Sequence, residues 1–176
     1  MSAPAGAGQR VDARAAGGAG NALPWLWLSL VLLIADQLSK QLALSTLALH
    51  QPVPVLPFLN WTLVYNPGAA FSFLSDAGGW QRWFFTALAL AVSVLLVFWL
   101  RATPRNQAWI ALPYALILSG ALGNAIDRLR FGHVVDFIDV HWQGWHWPAF
   151  NIADSAISVG AVMLIAGVLF VPSLRR

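Results

Sequence analysis

Apolar and polar positions in this chain fall into long blocks, and four apolar runs dominate the pattern. The first, Pro24 to Ser45, is interrupted mainly by Asp36, Gln37, Ser39, Lys40 and Gln41. Trp83 to Leu100 carries no charge and is bracketed by Arg82 and Arg101, and Ala108 to Ile126 has Asn124 as its strongly polar residue. The last, Ser155 to Leu174, opens directly after Asp154 and ends before Arg175 and Arg176. Each run is long enough to cross a hydrocarbon core of about 30 Å. The pattern predicts an integral membrane α-helical fold with four transmembrane helices at about 24–45, 83–100, 108–126 and 155–174.

The connections read differently. Between the first two spans, Pro52, Pro54 and Pro57 break helix, and the β-branched and aromatic run Trp61 to Tyr65 meets the turn signal Asn66-Pro67-Gly68. A strand, a turn and a second short strand through Phe71 to Leu74 are predicted, forming a small β-unit. The loop at 101–107 is a tight connection. Residues 1–23, rich in Ala and Gly, predict a disordered tail, and 24–176 a single membrane-embedded domain. The run after the tail is too long for a cleavable signal peptide and lacks a small-residue cleavage site, so the first span is expected to persist.

Composition agrees with a membrane protein: of 176 residues 59% are hydrophobic, and ten are Trp. Cysteine is absent, which excludes disulfides, thiolate metal sites and a Cys nucleophile. The net charge of +3 does not indicate nucleic acid, because the basic residues are scattered and form no stripe. They act as topology signals instead. Arg10, Arg14, Arg101, Arg105, Arg175 and Arg176 lie on the tail, the 101–107 loop and the C-terminus, so the positive-inside rule predicts both termini to be cytoplasmic. Trp61, Trp80, Trp83, Trp142, Trp145 and Trp147 then mark the outer interface, and Trp25, Trp27, Trp99 and Trp109 the inner one.

All seven acidic residues are Asp, and four of them, Asp127, Asp136, Asp139 and Asp154, fall between Gly120 and Gly160. With the predicted topology, Asn124 and Asp127 end span three on the outer face and Asp154 begins span four there. Asp36 and Lys40, one helical turn apart, can pair in the outer half of span one. Asn66 lies at the same level. Buried acids beside hydrocarbon-spanning segments are costly and usually serve a function. Taken singly, Asp127 reads as a partner of Arg128 at a span end, Asp139 as a solvated loop residue, and Asp154 as a helix N-cap.

The blocks Asp36-Gln-Leu-Ser-Lys40, Asn66-Pro-Gly-Ala-Ala-Phe-Ser72, Gly123-Asn-Ala-Ile-Asp-Arg128, Val135-Asp136-Phe137 and Phe150-Asn-Ile-Ala-Asp154-Ser resemble, in this order, the lipoprotein signal peptidase family. The resemblance covers most of the chain from Pro24 on. It implies a bacterial inner-membrane aspartyl endopeptidase that removes signal peptides from diacylglyceryl-modified prolipoproteins by cleavage before the lipidated cysteine, with the active site at the extracytoplasmic face. It implies an outer β-cradle, membrane lipid as surroundings, inhibition by globomycin, and no cofactor. By motif, Asp136 and Asp154 are the catalytic pair, and Asp36, Lys40, Asn66, Gly68, Asn124, Arg128 and Asn151 bind substrate or support the site.

Chemistry gives the pair its sense. Two carboxyls held close tend to share one proton, so one can take a proton from water while the other polarises a carbonyl. Other readings are weaker. A Ser39–Lys40 dyad fails because consecutive helical residues point about 100° apart. A metal site from His133, Asp136, His141 and His146 matches no zinc spacing. The alternative of another class is a small proton-coupled transporter or channel using Asp36, Lys40 and Asp154, but the inner halves of spans two and three carry no ionisable group for a relay.

Overall fold

The computed structural model describes residues 20–68 and 78–170. Four helices form the body: α1 (Leu26–Thr46), α2 (Trp80–Ala102), α3 (Ala108–Phe131) and α4 (Ile152–Phe170). All four are long and apolar enough to cross a membrane. Strands β1 (Val53–Leu56), β2 (Leu59–Asn66), β3 (Val134–Trp142) and β4 (Trp145–His146) make a four-stranded antiparallel sheet in sequential order. The four-helix membrane fold with a small sheet is thus as the sequence predicts.

Helix α3 is the centre of the bundle and packs against each of the other three. It needs small residues to do so. A Cβ on Gly120 would run into the Ala153 carbonyl of α4, and one on Gly160 would lie 2.9 Å from the Pro113 carbonyl oxygen of α3. Without a water-driven force between helices in lipid, such close backbone approach supplies much of the association. α3 runs one turn beyond the apolar pattern, to Phe131, because polar Asp127 and Arg128 are buried inside the protein and do not end the span. Gly132, at φ 83°, then stops it, its N–H bonding to the Arg128 carbonyl at 3.1 Å.

The sheet departs from expectation in its partners. Strand β2 pairs with β3, Asn60 opposite Asp139, Val64 opposite Asp136 and Asn66 opposite Val134. Residues 71–74, expected as the partner, lie outside the described residues. The β3 segment escapes a reading as strand because Val134 to Phe137 is buried without alternation and acids interrupt it. Phe150 returns against β3, its N–H bonding to Ile138 O at 3.1 Å, so a hairpin joins Asp136 to the start of α4.

The apolar core is split in two. Ala22, Leu96, Leu100, Ala111 and Leu118 fill the end near the 101–107 loop, and the start of the described chain joins it, the Ala22 N–H reaching Thr103 O at 2.9 Å. Ala43, Leu63, Val135 and Phe137 seat the sheet on the other end of α1. Between these clusters lies a layer of buried polar side chains.

Candidate active site

Two carboxyls face the polar layer from different elements. Asp136 is on β3, 1% exposed, and Asp154 is in the first turn of α4. Asn151 caps α4, its Oδ1 accepting the Asp154 N–H at 2.8 Å, while its Nδ2 donates to Asp136 Oδ1 at 2.7 Å. The N-cap is therefore Asn151, and Asp154 stands three residues inside, free to point into the site. Asn124 of α3 donates to Asp154 Oδ1 at 2.7 Å, and Asn151 Nδ2 lies 3.3 Å from Asn124 Oδ1. Asn66, at the end of β2, donates to Asp136 Oδ2 at 3.1 Å and accepts the Gly68 N–H at 3.0 Å. Arg128, buried, holds the Gly68 carbonyl at 2.8 Å and so fixes that turn over the site.

Burial, and then the neighbouring charge of Asp154, push the Asp136 carboxyl up to about 7, against the opposing hydrogen bonds from Asn66 and Asn151. Asp136 thus keeps its proton to well above the usual carboxylate range.

Below the pair, Lys40 meets Asp36 Oδ2 at 2.9 Å, as the helical spacing predicts, and also Asp127 Oδ2 at 2.8 Å. The pairing of Asp127 with Arg128 is corrected here. Consecutive helical residues point about 100° apart: Asp127 faces α1, while Arg128 turns to Gly68 and lies over the Phe85 ring. Gln37, marked in the sequence only by its place beside Asp36, donates to Asp127 Oδ1 at 2.9 Å. Ser39 bonds back to the Asp36 carbonyl at 2.8 Å.

Asp139 is the second correction. It is buried on β3, 6% exposed, and accepts hydrogen bonds from Asn60 Nδ2 at 3.1 Å and the Thr62 hydroxyl at 2.9 Å. His146 Nδ1 lies 2.7 Å from its other oxygen. Antiparallel register opposite Asn60 draws it inward. Burial alone would raise its pKa, but the bonds from His146, Asn60 and Thr62 together hold it below the ordinary carboxylate value. His133 stacks on Tyr65.

Fold and centre define a membrane-spanning protein with a carboxyl pair, Asp136 buried and Asp154 half-buried, set by three Asn amides where the helices meet the sheet. Residues 28–170 match the family described as Signal peptidase (SPase) II. The chain is 58% identical over 144 residues to a lipoprotein signal peptidase of Pseudomonas fluorescens, covering 81% of this chain and 85% of that one. It is 56% identical over 153 residues to that of Acinetobacter baumannii, 87% of each. A solved bacterial membrane enzyme, determined in meso at 2.3 Å, superposes with TM-score 0.74 at 32% identity, covering 87% of this chain and 92% of that one. This chain belongs to the signal peptidase II family.

Proposed function

We propose that Asp136 and Asp154 are the catalytic pair of an aspartic endopeptidase. Membership of the family makes the chain a peptidase that removes signal peptides from prolipoproteins. The observation that carries the catalytic reading is the pair linked through Asn124 and Asn151, with the Asp136 side chain buried beside Asp154. In the reaction, the ionised carboxyl takes a proton from water as its oxygen attacks the scissile carbonyl, and the protonated one donates to the carbonyl oxygen. As the tetrahedral intermediate collapses, the proton taken from water passes to the leaving amine and a hydroxyl of the intermediate gives its proton back to the other carboxylate as the carbonyl re-forms, so the pair again holds one proton. No metal ion or covalent intermediate enters these steps.

The substrate is a diacylglyceryl-modified prolipoprotein, cut before its lipidated cysteine, and globomycin occupies the substrate position. The sheet end faces outward and both termini lie in the cytoplasm, with the basic residues of the 101–107 loop as support. Nothing favours the transporter: Asp36 and Lys40 are tied up with Asp127. The test incubates purified protein with lipidated and unmodified precursor. Cleavage of the lipidated form alone is expected, with none by Asp136→Asn or Asp154→Asn variants that still insert. Normal turnover by either variant would sink the assignment.

A further inference from the structure

The ammonium of Lys40 is 2% exposed, and each of its three donors has a distinct acceptor: Asp36 Oδ2, Asp127 Oδ2 and, at 3.0 Å, Asn124 Oδ1. The two carboxylates do more than balance its charge. Asp36 accepts the backbone N–H of Ala153, the residue before Asp154, at 2.9 Å. Asp127 accepts the backbone N–H of Val135, the residue before Asp136, at 3.1 Å. Lys40 therefore joins two carboxylates, each of which grips the chain one residue ahead of a member of the pair. Its third contact bears on the pair through a side chain. An ammonium can only donate, so it claims the Asn124 oxygen and leaves the Asn124 NH2 group facing Asp154.

We propose that Lys40 is a positioning residue of the reaction: through Asp36 and Asp127 it sets the spacing of the Asp136 and Asp154 backbones, and through Asn124 it keeps an amide donor on Asp154. This rests on the reading of Asp136 and Asp154 as the catalytic pair. Without Lys40, the Asn124 oxygen keeps only the longer contact of 3.3 Å from Asn151 Nδ2, and a turn of that oxygen toward Asp154 would replace an attractive contact with two facing acceptors. The charged groups around Lys40 are Asp36 on α1, Asp127 and Arg128 on α3, Asp136 on β3 and Asp154 on α4, so deleting the ammonium alone leaves an excess of buried negative charge.

The test therefore uses Lys40→Met/Asp36→Asn in the full chain. One positive and one negative charge are removed together, and Asn at 36 still offers an oxygen to the Ala153 N–H. Thermal unfolding in lipid-doped micelles checks that the variant is folded. Expected is a kcat per folded molecule lower by about 100-fold, the scale of a misplaced catalytic group, with KM little changed. The kcat–pH profile shifts to higher pH, because the ionised form of the pair loses a donor. Adding Asn124→Ala brings little further loss, since both changes act at one contact. Should the double variant not fold, Lys40→Gln and Lys40→Met are compared: Gln can donate to Asn124, and its kcat is expected to exceed that of Met.

Unchanged kcat and pH profile in folded Lys40→Met/Asp36→Asn would overturn the role, as would a loss that only tracks the unfolded fraction, or equal kcat for the Gln and Met variants. Asp136→Asn and Asp154→Asn are assayed alongside. If either turns over normally, the catalytic reading itself has failed. If both are silent while Lys40 variants match wild type, only the positioning role has.

Discussion

Asp136 carries the sharpest expectation. Its carboxyl is raised to about 7 because burial and then the charge of Asp154 disfavour ionisation. A raised carboxyl holds its proton up to that pH and loses it above, so the pair has one proton below about 7 and two repelling negative charges beyond it. The rate of cleavage is expected to be bell-shaped, with an alkaline limb near pH 7 and an acid limb where the ionised member becomes protonated. A rate that stays flat from pH 6 to 9 would contradict a shared proton. Asp139 belongs to stability. Replacing it with Leu leaves Asn60 and Thr62 without their acceptor, and Asp139→Leu is expected to cost about 1–3 kcal/mol in denaturant unfolding. Activity falls with it, since the hairpin it anchors leads from Asp136 to Asp154. Motif and charge alone made Asp136 and Asp154 legible in the sequence. Asp139 was not, because its burial depends on the register of β2 against β3, and Asp127 was not, because its partner is 87 positions away in α1.

At the scale of elements, the spans were readable from hydropathy to within a few residues, since an apolar run must satisfy its backbone as helix in lipid. The sheet was readable only in β2, whose aromatic and β-branched run ends at a turn signal. Its partner β3 is buried and acidic, which removes the alternation that marks a half-buried strand. What draws α3 and α4 together is also weakly written: Gly120 and Gly160 look like ordinary membrane glycines until the packed helices give them a place. In Gly160→Leu the new side chain meets the Pro113 carbonyl and Ile117 Cγ1, whose distance from a Cβ would be 2.7 Å. The substitution is expected to lower stability by about 1–3 kcal/mol, read by unfolding in micelles. Because Gly160 lies more than one turn from Asp154 along α4, kcat per folded molecule should hold. A folded Gly160→Leu protein with lost kcat would show that α4 transmits strain to the site.

For the whole molecule, the division of the core into two apolar clusters with a polar layer between them explains why the site lies where it does. A charged layer placed mid-bundle would face hydrocarbon on every open side; placed where helices meet the sheet, Asp36, Lys40, Asp127 and Asp136 are enclosed, each no more than 2% exposed. That placement also ties function to orientation, since a peptide bond cut at this level must arrive on the side that carries the sheet. The chain contains no Cys, so single cysteines report sidedness without background. Trp145, 62% exposed in the β3–β4 hairpin, and Asn106, exposed in the loop between α2 and α3, stand at opposite ends of the bundle. With the sheet outward, Trp145→Cys is expected to react with a membrane-impermeant thiol reagent added to intact spheroplasts, and Asn106→Cys only after permeabilisation. The reverse pattern would place the carboxyl pair at the cytoplasmic face and leave the basic 101–107 loop outside, against the charge asymmetry on which the orientation rests.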